Sequence, residues 1–123
     1  MKIKGRVYAK KAKNGTYYAR IILPNELRAV SGKSALWRST GSGQVQEAKR
    51  SIAAFSAAAQ LIFQELADKY LDGSEVSISA EFNRKTVFNV TPHLDAIDQE
   101  AIEHARKSLE KSLTADSAGE RKA

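Results

Sequence analysis

Cysteine is absent from the 123 residues, which excludes a disulfide scaffold and a thiolate zinc site and fits a reducing compartment. Long apolar runs are missing too. The longest stretch, Ile52 to Phe63, is rich in alanine and interrupted by Ser56 and Gln60, and so falls short of the ~20 residues of a membrane span. The first fifteen residues, MKIKGRVYAKKAKNG, hold lysines but no apolar core segment, so no signal peptide is expected. These absences together predict a soluble, cytoplasmic protein with no membrane partner. Acidic residues are scarce in one half: residues 1–50 carry 12 Lys/Arg against 2 Asp/Glu, a net of +10, whereas residues 51–123 carry 8 against 12, a net of −4. A one-sided positive field concentrates polyanions, of which nucleic acid is the commonest. Phosphate-loop and Gly-x-Ser-x-Gly patterns are lacking as well, and the GSG at 41–43 is read as the approach to a helix. The expectation is a binding protein and not an enzyme, with no cofactor, no metal and no small-molecule substrate.

What remains fits one domain with a tail. From Lys2 to Lys10 the chain alternates, with Lys2, Lys4, Arg6, Tyr8 and Lys10 on one side and Ile3, Gly5, Val7 and Ala9 on the other. Asn14-Gly15 suits a tight hairpin turn. Thr16 to Leu23 then continues the alternation, setting Tyr17, Ala19, Ile21 and Leu23 against Tyr18, Arg20 and Ile22. Pro24 cannot donate to a ladder and suits a first helical turn, so PNELRAVSG reads as a short helix closed by Gly32. A third strand, Ser34 to Thr40, turns Leu36 inward and Ala35, Trp37 and Ser39 outward.

From Gln44 to Leu71 the period changes to that of a helix. Val45, Ala48, Ile52, Phe55, Ala59, Ile62, Leu66 and Lys69/Tyr70 form its stripe, Ser42 or Gly43 caps it, and Asp72-Gly73 ends it. The predicted fold class is α+β: a three-stranded antiparallel sheet packed on one long helix, followed by a C-terminal hairpin and helix. The unit 1–73 holds the sheet (2–40) and the long helix (44–71). Residues 74–113 hold the hairpin, with Val76, Ile78, Ala80 and Phe82 alternating and 86–90 returning, and an amphipathic helix opened by Thr91-Pro92 with Leu94, Ile97, Ala101, Ala105 and Leu109 on one face. The tail 114–123, TADSAGERKA, is too polar to pack and is expected to be disordered.

On this register Arg20 lies on the face opposite the apolar one, with Lys4, Arg6, Tyr8, Lys10, Tyr18 and Trp37. Lysines alone are explained by solubility and by protection of strand edges. The aromatics are not, because large rings on the outer face of a small sheet imply a covering partner. Duplex DNA fits, since a β-sheet enters the major groove and arginine bridges guanine O6 and N7. Stacking on single-stranded bases is the rival.

Residues 15–66, GTYYARIILPNELRAVSGKSALWRSTGSGQVQEAKRSIAAFSAAAQLIFQEL, resemble the N-terminal arm-type DNA-binding domain of phage integrases of the tyrosine recombinase family. The likeness rests on a Tyr-rich strand leading into LPNELR, a Gly-Lys turn, RSTG at a strand end, and EAKR opening the long helix. The resemblance implies a three-stranded sheet on one helix, laid in the major groove at arm-type or accessory sites for site-specific recombination, with recombinase subunits as a further partner. Its outward positions map onto Tyr18, Arg20, Ile22, Trp37 and Ser39, while Lys4, Arg6, Tyr8 and Lys10 rest on periodicity. The family's catalytic Arg, Lys, His-x-x-Arg and Tyr set needs a separate domain. This chain has His93 and His104, the latter in HARK, and both are read as polar helix positions. Asp95, Asp98, Glu100 and Glu103 are read as a solvated face. The chain is thus expected to be either part of an integrase or a small mobile-element DNA-binding regulator. A helix-mediated adaptor, with the basic face serving solubility, is the alternative from another class.

Overall fold

The computed structural model describes residues 2–82, 85–89 and 98–113. The Asn83-Arg84 turn, Val90, the Thr91-Pro92 cap, His93, Leu94, Asp95, Ile97 and the tail 114–123 lie outside them. The elements are β1 (Lys2–Lys11), β2 (Tyr17–Ile22), α1 (Asn25–Ser31), β3 (Ala35–Ser39), α2 (Val45–Tyr70), β4 (Glu75–Phe82), β5 (Lys85–Asn89) and α3 (Gln99–Leu113).

The architecture is α+β, and β1, β2 and β3 form the expected antiparallel ladder. Past residue 73 the sheet continues. β4 pairs with β1 in parallel, β5 pairs antiparallel with β4, and the order across the mixed five-stranded sheet is β3-β2-β1-β4-β5. The sheet is therefore wider than three strands, and the C-terminal hairpin is part of it. β1 becomes a central strand because Val76, Ile78 and Ala80 alternate in phase with Ile3, Gly5 and Val7, so one register buries both sets. Gly5 matters for close approach here. A Cβ on it would lie 2.8 Å from Ile78 Cδ1 and 3.2 Å from Pro24 Cγ, where β2 turns into α1.

The β1–β2 loop is longer than a two-residue turn. Gly15 N–H donates to Ala12 C=O and Ala12 N–H to Thr16 C=O, while Gly15 takes φ 87°. This is a type I turn followed by a left-handed residue, the usual three-residue hairpin solution. Asn14 Oδ1 accepts the Thr16 amide.

α2 covers the inner face of the sheet, and α3 packs beside it. Between them α2 is buried on two sides, which explains its small residues: Ala57, Ala58, Ala59 and Ser56 are fully enclosed. The expected stripe is thereby corrected. Phe63, outside that stripe, is completely buried, Phe55 and Leu66 are only partly so, and Val45 and Tyr70 are exposed. At the start of α2, Ser42 Oγ accepts the Gln44 amide and donates to Glu47. At its other end Leu71 N–H donates to Ala67 C=O.

Two glutamines of α2 act as sheet partners. Among the described residues β5 pairs only with Ser79–Phe82, and α2 flanks the first half of β4 on that side. There Gln60 donates to Val76 C=O and accepts the Ile78 N–H, while Gln64 accepts the Val76 N–H and donates to Ser74 C=O. Their spacing of four places both amides on one helix face, along the strand.

α3 opens with Asp98, whose carboxylate accepts the Glu100 and Ala101 amides. It buries Ile102, Ala105, Leu109 and Leu113. Arg38, on the inner side of β3, donates to Ser108 Oγ and C=O, to Ser112 Oγ and to Trp37 C=O. These partners are all neutral, and burial draws its guanidinium below the ordinary arginine value. Arg106 ties α3 to α2 through Glu65 and also pairs with Glu110. The Glu65 hydrogen bond holds its guanidinium above the usual value.

Candidate nucleic-acid interface

The outer face of the sheet is uncovered among the described residues, and the strand register arranges it in rows. Trp37, Arg20, Tyr8 and Glu81 stand side by side across β3, β2, β1 and β4. Ser39, Tyr18 and Lys10 form the next row, and Ala35, Ile22, Arg6 and Ser79 the row on the other side. Lys4 follows beside Ser77. All nine residues expected on this face, Lys4, Arg6, Tyr8, Lys10, Tyr18, Arg20, Ile22, Trp37 and Ser39, therefore share it. Lys4, Arg6, Lys10, Trp37 and Ser39 are exposed, and Tyr8, Tyr18, Arg20 and Ile22 are half-buried by their neighbours.

Cations and rings interlock at the centre. The Arg20 guanidinium carbon lies 4.9 Å from the Trp37 ring centroid, and Arg20 Nη1 donates to Tyr8 Oη at 3.1 Å. Arg6 lies 4.8 Å above the same tyrosine ring and pairs with Glu81 at 3.3 Å. The sequence Trp37, Arg20, Tyr8, Arg6, Glu81 thus alternates π-faces and guanidinium groups before ending in a carboxylate. Such contacts hold arginine heads in fixed planes, which suits bidentate recognition. Arg20 Nε is buried and makes no hydrogen bond among the described residues. Trp37 keeps 45% of its surface exposed, on an edge strand of the sheet.

β4 adds residues that the alternation of β1–β3 does not reveal. Glu75, Ser77, Ser79 and Glu81 lie on the same face, so the cations Lys2, Lys4, Arg6, Lys10 and Arg20 are bordered by two carboxylates. A period-two pattern in β4 was legible, but its face was not, because that depends on pairing with β1. Arg28 of α1 was also missed. Its Nε donates to Leu23 C=O, which brings it to the end of the same face beside Lys4 and Arg6.

The remaining chemistry lies elsewhere. His104 is exposed on α3, as are Asp98, Glu100 and Glu103, and among the described residues no group of His, Asp and Glu is placed to hold a metal ion. A cavity of about 1020 Å³ opens between α2, α3 and the end of β3, with Arg50, His104, Asp98 and Phe55 in its wall. No described helix is long and apolar enough to cross a membrane.

Residues 8–68 match the family model described as a domain of unknown function, DUF6538. The matched stretch runs from Tyr8 in β1 to Asp68 in α2 and takes in Arg20 and Trp37, while Lys4 and Arg6 lie before it. Comparison with curated proteins and with solved structures gives no match.

Proposed function

We propose that the outer face of β1, β2 and β3 binds duplex DNA in the major groove, as the non-enzymatic DNA-binding module of a phage or mobile-element integrase of the tyrosine recombinase type. The observation that carries this reading is the chain of side-chain contacts Trp37, Arg20, Tyr8 and Arg6, spanning two adjacent rows, in which planar cations are oriented by aromatic rings on a basic sheet face uncovered among the described residues. The likeness of residues 15–66 to integrase arm domains supports the biological setting.

Strand spacing defines how the face docks. The axes of three strands lie within about 10 Å, close to the ~12 Å width of a major groove, whereas those of five span about 19 Å. β3, β2 and β1 therefore enter, and the carboxylates of β4 stay at the rim, where they disfavour any shift toward that side. Arg20, in the middle strand, is the base reader. Lys4 and Lys10, toward opposite ends of β1, are phosphate contacts. Most of the apolar stripe of α2 is covered by the sheet and by α3, which supports this reading over a helix-mediated adaptor.

The test is fluorescence anisotropy on duplexes selected from a random pool. Arg20→Ala should weaken the selected duplex about 5- to 150-fold, matching the ~1–3 kcal/mol of a bidentate base contact, and should relax selectivity. Equal affinity of the wild type and this variant for every duplex would refute the reading. Preference for single strands would replace groove docking by base stacking.

A further inference from the structure

Where β2 runs into α1, the outer face ends in a small pocket of about 320 Å³, lined by Lys4, Gly5, Arg6, Pro24, Arg28 and Ser79 among others. We propose that this pocket binds a phosphate group, and that its ligand is a phosphodiester of the duplex backbone. The inference rests on the duplex reading above and adds to it a site and a residue, Arg28, that the alternation of the strands does not supply.

Three cations converge there, and no carboxylate lines the pocket. Arg28 is aimed rather than free, because Nε is tied to Leu23 C=O at 3.1 Å while both terminal amino groups have no hydrogen bond among the described residues. Lys4 likewise has no acidic partner among them. Arg6 engages Glu81 through Nε and Nη2 and leaves Nη1 open. A guanidinium fixed at one edge with two donors remaining is suited to a tetrahedral oxyanion. Ile22 and Pro24 supply the apolar part of its wall.

The position fits a groove wall. From Lys4 to Lys10 is six residues of β1, about 20 Å. The Arg20–Trp37 pair lies between these ends, and a major groove about 12 Å wide is flanked by its two phosphate backbones. With the strands lying along the groove, β1 faces the backbone on the side of β4, so that backbone would meet the pocket at one end and Lys10 near the hairpin turn at the other.

The test titrates 15N-labelled protein with inorganic phosphate and, separately, with a 20-bp duplex at low salt. Both should shift the Arg28 Nε–H and the Gly5 and Ser79 amides. Each of Arg28→Ala and Lys4→Gln should lower the slope of log affinity against log salt by about 0.9, so that each variant loses about 3.5-fold less affinity than wild type between 50 and 200 mM salt. Lys4→Gln alters an exposed strand position and leaves the Leu23 anchor in place, which covers the case of an unfolded Arg28 variant. Duplex binding with an unchanged slope for Arg28→Ala would overturn the pocket; an unchanged slope for Lys4→Gln as well would also remove Lys4 as a phosphate contact, leaving only docking through Arg20 standing. Shifts with phosphate but not with bound duplex would assign the pocket to a free anion and overturn the proposed source. Absence of any duplex binding would remove both readings.

Discussion

Replacing Gln60 by leucine tests whether α2 completes the sheet in place of a strand. Gln60 is 8% exposed, and its amide makes two hydrogen bonds, to Val76 C=O at 2.7 Å and from Ile78 N–H at 3.0 Å. Leucine keeps most of the volume but strands both backbone groups on the side of β4 that α2 flanks. An unsatisfied buried group costs about 1–3 kcal/mol, so two cost about 2–6. The added apolar burial returns about 1 kcal/mol, leaving a net loss of roughly 1–5 kcal/mol against a domain stability of about 5–15. Gln64→Leu should cost less, because Gln64 is only half-buried and water can replace its amide. Urea unfolding gives the stability change, and native-state hydrogen exchange at the Ile78 amide locates it. A loss below about 0.5 kcal/mol with Ile78 still protected would refute the strand-substitute role.

Two further outcomes follow from burial and exposure. Phe63→Ala should destabilise the fold by about 3–5 kcal/mol, because the side chain is fully enclosed. Phe55→Ala should cost clearly less, since Phe55 is half-exposed at the wall of the large cavity, and thermal unfolding of the two variants ranks them. Trp37, the only tryptophan, should emit red-shifted and be open to acrylamide in the free protein, then become shielded on adding duplex at low salt. A blue-shifted emission unaffected by DNA would contradict its place on the outer face.

The local half of this architecture was readable because strand alternation carries its own evidence. In β1 and β2 every second residue is apolar, so one register hides Ile3, Val7, Ala19 and Ile21 together and turns Arg6, Tyr8 and Arg20 outward. With the same alternation in β3, which turns Trp37 and Ser39 outward, this places all nine expected face residues. The parallel pairing of β1 with β4 left no local trace, since a hairpin standing apart and one joining the sheet share the same alternation. Gln60 looked like an interruption of an apolar helix, and its purpose appears only once the partners of β4 are known. Phe63 was missed for a related reason: a stripe chosen for one contact surface omits residues that a helix with two covered sides also hides. Arg28 and Glu81 reach the candidate interface from elements whose neighbours are set by tertiary contacts.

The central position of β1 also bears on how the chain reaches its native state. Lys2 pairs with Glu75, more than seventy positions away, whereas β2 and β3 meet across a short connection. Closing the long loop carries an entropy penalty that the local hairpins avoid. The β1–β2–β3 meander and α2 should assemble first, with β4 docking late against β1. Until it docks, β1 is a ten-residue open edge with alternating apolar side chains, the form of strand that recruits a neighbouring chain. A shortened chain ending at Gly73 would retain the whole basic face of β1, β2 and β3 yet keep that edge permanently open. Its failure would show as concentration-dependent association rather than as lost secondary structure.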